Sequence, residues 1–293
     1  MKTTTCESVG NFLFPEGRLS ADFPWTWKRA AKAYFITFGL FMLGSFLPVL
    51  IFITFMLGSQ LYFPEFHETA MRLIANPDGM PNMGFMVALT VTSFLMGMGL
   101  ELDYIRKELA KDGHSLRGVV GMNLDKIPGN SFLAKSWGAL WRAGLAYLGF
   151  SLFSALALQF LPQPEQPTID FIRSLSGHAL SITFVLVAIG APLFEELIFR
   201  GFLFQMFRGT FRQGRWFAAL ASNPKLADLA AVVLSAAAFA FQHLQFHPTT
   251  LLFLFLMGCL LAELYRRTGS LIPSMILHAI NNAVSFYLAT HSH

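Results

Sequence analysis

The chain has 293 residues, 54% hydrophobic and only 13% charged, with a formal net charge of +4. A soluble domain carries about 25% charged residues, so this composition excludes a water-soluble particle of ordinary kind, and the small positive charge gives no basic surface for nucleic acid. The two cysteines, Cys6 and Cys259, lie far apart and exclude a disulfide framework or a thiolate metal site.

Residues 1–32 are mixed in character and read as a cytosolic and interfacial lead. The first apolar run begins near Ala33, later than a signal h-region would, so no cleavable signal peptide is expected. No apolar run precedes Cys6, so no lipoprotein anchor is expected either. Trp25 and Trp27 precede Lys28, Arg29 and Lys32, the pattern of an aromatic belt meeting cytoplasmic cations. Apolar runs long enough to cross a bilayer, roughly 20 residues each, follow at Ala33–Leu57, Met83–Leu102, Ala143–Leu161, Leu180–Phe207, Leu229–Phe246, Thr249–Leu264 and Leu271–Ala289. None alternates polar and apolar over about ten residues, as a barrel strand would. The predicted fold is therefore all-α: a polytopic bundle of seven transmembrane helices.

Lysine and arginine test the count independently. With the N-terminus inside, nineteen of the 21 cations fall in the inside segments, and only Arg72 and Arg173 fall outside. That bias predicts a cytoplasmic N-terminus and an external C-terminus. Residues 33–179 hold the first three spans, with one large cytosolic loop at 103–142, and residues 180–293 hold the remaining four. No internal repeat, low-complexity tract or second soluble domain is visible.

Charge inside a membrane helix is costly and marks function by default. Glu195 and Glu196 sit in the fourth span, thirteen and twelve residues before Arg208. Helix rise places Glu195 about 20 Å from the inner surface, His243 about 22 Å and His278 about 16 Å. Three helices thus carry ionisable groups to a common depth. Glu196 and Arg200 are spaced i and i+4 and can pair on one face, with Glu195 rotated about 100° away. His278 and Asn282 share the same spacing, as do Phe239 and His243. The plainer readings are a structural Glu196–Arg200 ion pair and interhelical hydrogen bonding by either histidine alone. His247 beside Pro248 reads as interfacial. Glu101, Asp103 and Glu263, near Arg106, Arg266 and Arg267, read as snorkelling helix-end groups, and the many Phe and Met residues as lipid-facing bulk.

The stretches Glu195-Glu196-Leu-Ile-Phe-Arg200, Phe239-Ala-Phe-Gln-His243 and His278-Ala-Ile-Asn-Asn282 resemble the three motifs of the CPBP intramembrane proteases. These comprise the CAAX prenyl endopeptidases, bacteriocin-processing enzymes and abortive-infection proteins. The resemblance covers about residues 180–290 and makes 180–293 the catalytic core. It implies an intramembrane endopeptidase acting on a membrane-anchored or lipidated protein. Glu195 would be general base for a water held with His243, His278 and Asn282 would stabilise the oxyanion, and Glu196 and Arg200 would fix the geometry. A metal-free glutamate mechanism is favoured. The alternative is zinc on Glu195, His243 and His278 with an open water position. A His-Glu-x-x-His zinc protease would need glutamate where Leu244 stands, and a rhomboid-type enzyme would need a Gly-rich setting that Ser235 lacks. A non-proteolytic immunity or binding protein is the competing class. A transporter fits worse, for want of a repeat or glycine-interrupted helix pair. The expected location is the bacterial inner membrane, with no nucleic-acid partner.

Overall fold

A computed structural model describes residues 25–76, 82–115, 131–161, 167–213, 217–243 and 247–291. These residues form helices and no sheet. Seven helices are long and apolar enough to cross a membrane, so the chain is an integral multi-pass membrane protein. The elements are α1 (Trp27–Tyr62), α2 (Pro64–Ile74), α3 (Met83–Ala110), α4 (Phe132–Ala157), α5 (Pro167–Ser174), α6 (Gly177–Arg212), α7 (Pro224–Phe241), α8 (Pro248–Thr268) and α9 (Leu271–His291). All but α2 and α5 are spans. The short helix α2 exposes nearly all of its residues and follows α1 after a single residue, Phe63.

Several boundaries differ from those read off hydropathy. The expected 103–142 loop shrinks to residues 111–131, because α3 runs on to Ala110 and α4 starts at Phe132. Charged residues carry α3 past the apolar window: Asp103 pairs with Arg106 and Lys107 at helical spacing, which stabilises an exposed helix end. Residues 116–130 of that loop lie outside the described residues. The first span begins at Trp27, capped by the Thr26 hydroxyl; residues 1–24 of the expected lead lie outside the described residues.

Trp25 is not an interfacial belt residue. It is 3% exposed and packs edge-on against Phe202 at 5.7 Å, while its indole N–H donates to Asp112 at 2.7 Å. Arg29 stacks 4.1 Å from the same ring and bonds Glu108 and Asp112. Helices α1 and α3 are thereby locked at one end. Along their length they cross at Gly44 and Gly97, where a Cβ on Gly44 would stand 2.5 Å from the Gly97 Cα. The lipid-facing reading of phenylalanine also needs correction. Phe199, Phe202, Phe204 and Phe239 are almost fully buried and form the centre of the bundle, whereas Phe35, Phe46 and Phe55 face outward.

Candidate active site

The site is built from α6, α7 and α9. Helix α6 changes register twice, with π-helical turns at Leu186–Gly190 and Leu197–Phe204 on either side of the Ala191–Glu196 segment. Such turns recur at functional sites because they re-aim side chains and loosen backbone carbonyls. Glu195 and Glu196 sit at the end of the intervening α-helical segment.

Glu196 and Arg200 are both fully buried and pair at 2.8 Å. Arg200 also donates through Nη2 to the Gly258 carbonyl at 3.2 Å and lies 4.7 Å from the Phe239 ring. The close approach of α8 depends on Gly258, where a Cβ would meet Ala236 at 3.0 Å. The same Glu196 oxygen that accepts from Arg200 stands 2.9 Å from His278 Nδ1. On its other side, His278 Nε2 lies 3.6 Å from Glu195 Oε2, with the Glu195 side chain 12% exposed. One imidazole therefore sits between two adjacent carboxylates. With the Nδ1 hydrogen donated to Glu196, Nε2 carries a hydrogen only in the imidazolium form.

Asn282, one turn along α9, donates one amide hydrogen to the Val187 carbonyl at 3.0 Å and keeps a second donor. His243 departs from expectation. The fifth span ends at Phe241 rather than Phe246, so His243 lies in a turn just past the helix, not within it. Its Nδ1 is 2.8 Å from the Phe239 carbonyl, and its ring packs 5.0 Å from Phe239. Phe239 also meets His278 edge-on at 5.7 Å and so joins the two histidines. The structure thus brings Glu195, Glu196, Arg200 and His278 into one polar chain and connects His243 to it through Phe239.

Among the described residues, no three His, Cys, Asp or Glu side chains lie close enough to hold a metal ion. Glu195, His243 and His278 as arranged are not gathered into the ligand set a zinc mechanism would use.

Glu101 is not the snorkelling end group that its sequence position suggests. The helix continues about two and a half turns beyond it, and its side chain is 0% exposed. Its Oε1 is 3.5 Å from Gln242 Nε2, and its carboxyl interacts electrostatically with Glu195. The signal that would have found it is a carboxylate set within a helix whose charged end extends past the apolar window. Asp103 and Glu263 do behave as end groups; Glu263 pairs with Arg266 at 2.6 Å and with Arg267. His247 is exposed and caps α8, accepting from Thr249 N–H. Ser235 is committed to structure, its hydroxyl donating to the Phe199 carbonyl at 2.7 Å.

No curated protein and no solved structure matches the chain. Residues 177–284 match the family model described as type II CAAX prenyl endopeptidase Rce1-like, and this stretch contains all three motifs. The family indicates an intramembrane endopeptidase. Residues 177–284 are therefore similar to Rce1-like type II CAAX prenyl endopeptidases, in agreement with the resemblance of the three motifs to the CPBP family.

Proposed function

We propose that this protein hydrolyses a peptide bond in a membrane-anchored or lipidated substrate, using Glu195 and His243 to activate a water. The observation that carries the reading is the Glu195–His278–Glu196 arrangement. A slightly exposed carboxylate faces an imidazole whose opposite nitrogen is tied to a fully buried ion pair. A structural pair alone would not need the second carboxylate.

In the reaction, Glu195 takes a proton from a water held jointly with His243 as the water oxygen attacks the scissile carbonyl. The carbonyl π electrons move to oxygen, and the oxyanion is met by the second N–H of Asn282 and by protonated His278 Nε2. Collapse breaks the C–N bond, and the proton held by Glu195 passes to the leaving amine. Two preorganised donors in a water-poor site supply a few kcal/mol at the developing charge. Glu196 and Arg200 hold the His278 ring, as a carboxylate partner does for a working imidazole.

The site's depth, about 20 Å by helix rise, selects substrates that enter the membrane. An extended chain advances about 3.3 Å per residue, so roughly six residues would bridge that distance. A lipid anchor adds about 0.8 kcal/mol of partitioning per buried CH₂. The bacterial inner membrane is the proposed location.

The test is cleavage by purified protein in liposomes, comparing one peptide with and without a prenyl group. Cleavage of the anchored peptide should fall about 10²–10⁴-fold in Glu195→Gln, as expected on loss of a general base. Wild-type turnover by that variant would remove Glu195 from the mechanism. Equal cleavage of the unanchored peptide would refute the depth argument.

A further inference from the structure

Glu101 is a fully buried carboxyl that the chemistry above does not use. It stands on α3, outside the matched residues 177–284. A carboxyl buried without a cation is costly wherever it sits, and more so in a membrane helix; leucine would serve packing alone. The groups that act on it are Gln242 and Glu195, and no cation is among them. Its Oε2 has no hydrogen-bond partner among the described residues.

Both of those relations lead to the site. Gln242 immediately precedes His243 in the turn that closes α7, and it reaches Glu101 across 141 residues of sequence. That turn has left the regular ladder: the His243 amide bonds the Ala240 carbonyl at 2.9 Å, one residue short of helical spacing. The His243 ring moves with this turn, so an anchor from a neighbouring helix has consequences for where the ring stands. The 3.5 Å separation is long, as catalytic contacts often are before substrate tightens them.

We propose that Glu101 is a positioning residue which, through Gln242, holds the His243 turn in register with Glu195 and so makes α3 part of the reacting geometry. This rests on the reading of Glu195 and His243 as the water-activating pair.

The experiment uses the full chain in detergent and the variants Glu101→Met, Glu101→Gln, Gln242→Ala and the Glu101→Met/Gln242→Ala double. Amide hydrogen exchange is read over Phe239–His243, and kcat and KM are measured separately with an anchored peptide. Exchange in the turn should rise about tenfold in Glu101→Met and in Gln242→Ala, reporting local opening. It should stay near wild type in Glu101→Gln, which keeps an acceptor for Gln242. The double variant should be no worse than either single, as two parts of one contact require. Turnover should follow, with kcat down about tenfold and KM within about twofold, since misplacement costs rate before binding. Unchanged exchange in Glu101→Met, or fully additive effects in the double, would overturn the proposal. If the turn loosens in Glu101→Met while Glu195→Gln still cleaves, the anchor stands and the assignment of Glu195 fails. If Glu195→Gln is inactive and the turn is indifferent to Glu101, the reverse holds.

Discussion

The buried Glu196–Arg200 pair makes a sharp quantitative prediction. Both side chains are 0% exposed, joined at 2.8 Å, with Arg200 also on the Gly258 carbonyl and Glu196 also on His278. Glu196 Oε2 and Arg200 Nε have no hydrogen-bond partner among the described residues, so each charge keeps only weaker partners when the other is removed. Glu196→Ala leaves a buried guanidinium against one carbonyl, and Arg200→Ala leaves a buried carboxylate against one imidazole. Each should cost about 3–5 kcal/mol, which at 1.4 kcal/mol per decade is a hundredfold to several-thousandfold shift in the unfolding equilibrium. Replacing both by methionine removes both unpaired charges and should recover most of that loss. Activity should stay low in the double, because His278 Nδ1 has lost its acceptor. Reversible unfolding in bicelles, alongside cleavage of an anchored peptide, reads the two effects separately. Single variants within about 0.5 kcal/mol of wild type, or single costs that simply add in the double, would show that the charges are not energetically coupled.

At the α1–α3 crossing, Gly44→Ala should destabilise the protein by about 1–3 kcal/mol through overpacking, since its Cβ would stand 2.5 Å from the Gly97 Cα. Gly39→Ala, which meets nothing within 4 Å, is the control for helix propensity, and equal unfolding midpoints for the two would refute the crossing. At the end of α3, the hydrogen bond from Arg29 holds the Asp112 carboxyl below the usual range, with further help from Trp25. A depressed carboxyl contributes stability that is complete above the ordinary aspartate value, about 4, and that is lost as pH falls through the folded value. Trp25 fluorescence should therefore shift red only below about pH 4 in the wild type, and already at neutral pH in Asp112→Asn. A shift centred near pH 6 would assign the change to another group.

The seven spans were legible because their signal is collective: long apolar runs and a consistent placement of lysine and arginine do not depend on any single contact. The Glu196–Arg200 pair was legible for a similar reason, since i, i+4 spacing survives the register change in α6 closely enough for a 2.8 Å bond. What hydropathy could not read were groups whose character depends on a neighbour. Trp25 looks interfacial until Asp112 supplies an acceptor for its indole. Glu101 looks like an end group until charged side chains carry α3 beyond it. His243 was placed inside a helix because the apolar run continues to Phe246, but the helix stops at Phe241.

The position of Asn282 follows from a proline three helices earlier in the chain. In an unbroken α-helix the Ala191 amide would bond the Val187 carbonyl and residue 192 would supply an amide to Ala188. Residue 192 is proline, which has no N–H and whose ring crowds the carbonyl one turn earlier. The helix responds with a π-turn over Leu186–Gly190, in which the Ala191 amide bonds Leu186 instead. Val187 is then left without the Ala191 amide, and Pro192 cannot replace it. An unpartnered carbonyl inside a membrane costs several kcal/mol, and the Asn282 amide takes it at 3.0 Å. In the second π-helical stretch the Phe199 carbonyl accepts from the Ser235 hydroxyl at 2.7 Å. The first irregularity of α6 therefore serves as a socket: it exposes a carbonyl that fixes a side chain of α9, and that side chain is the asparagine aimed at the reacting carbonyl in the proposed mechanism.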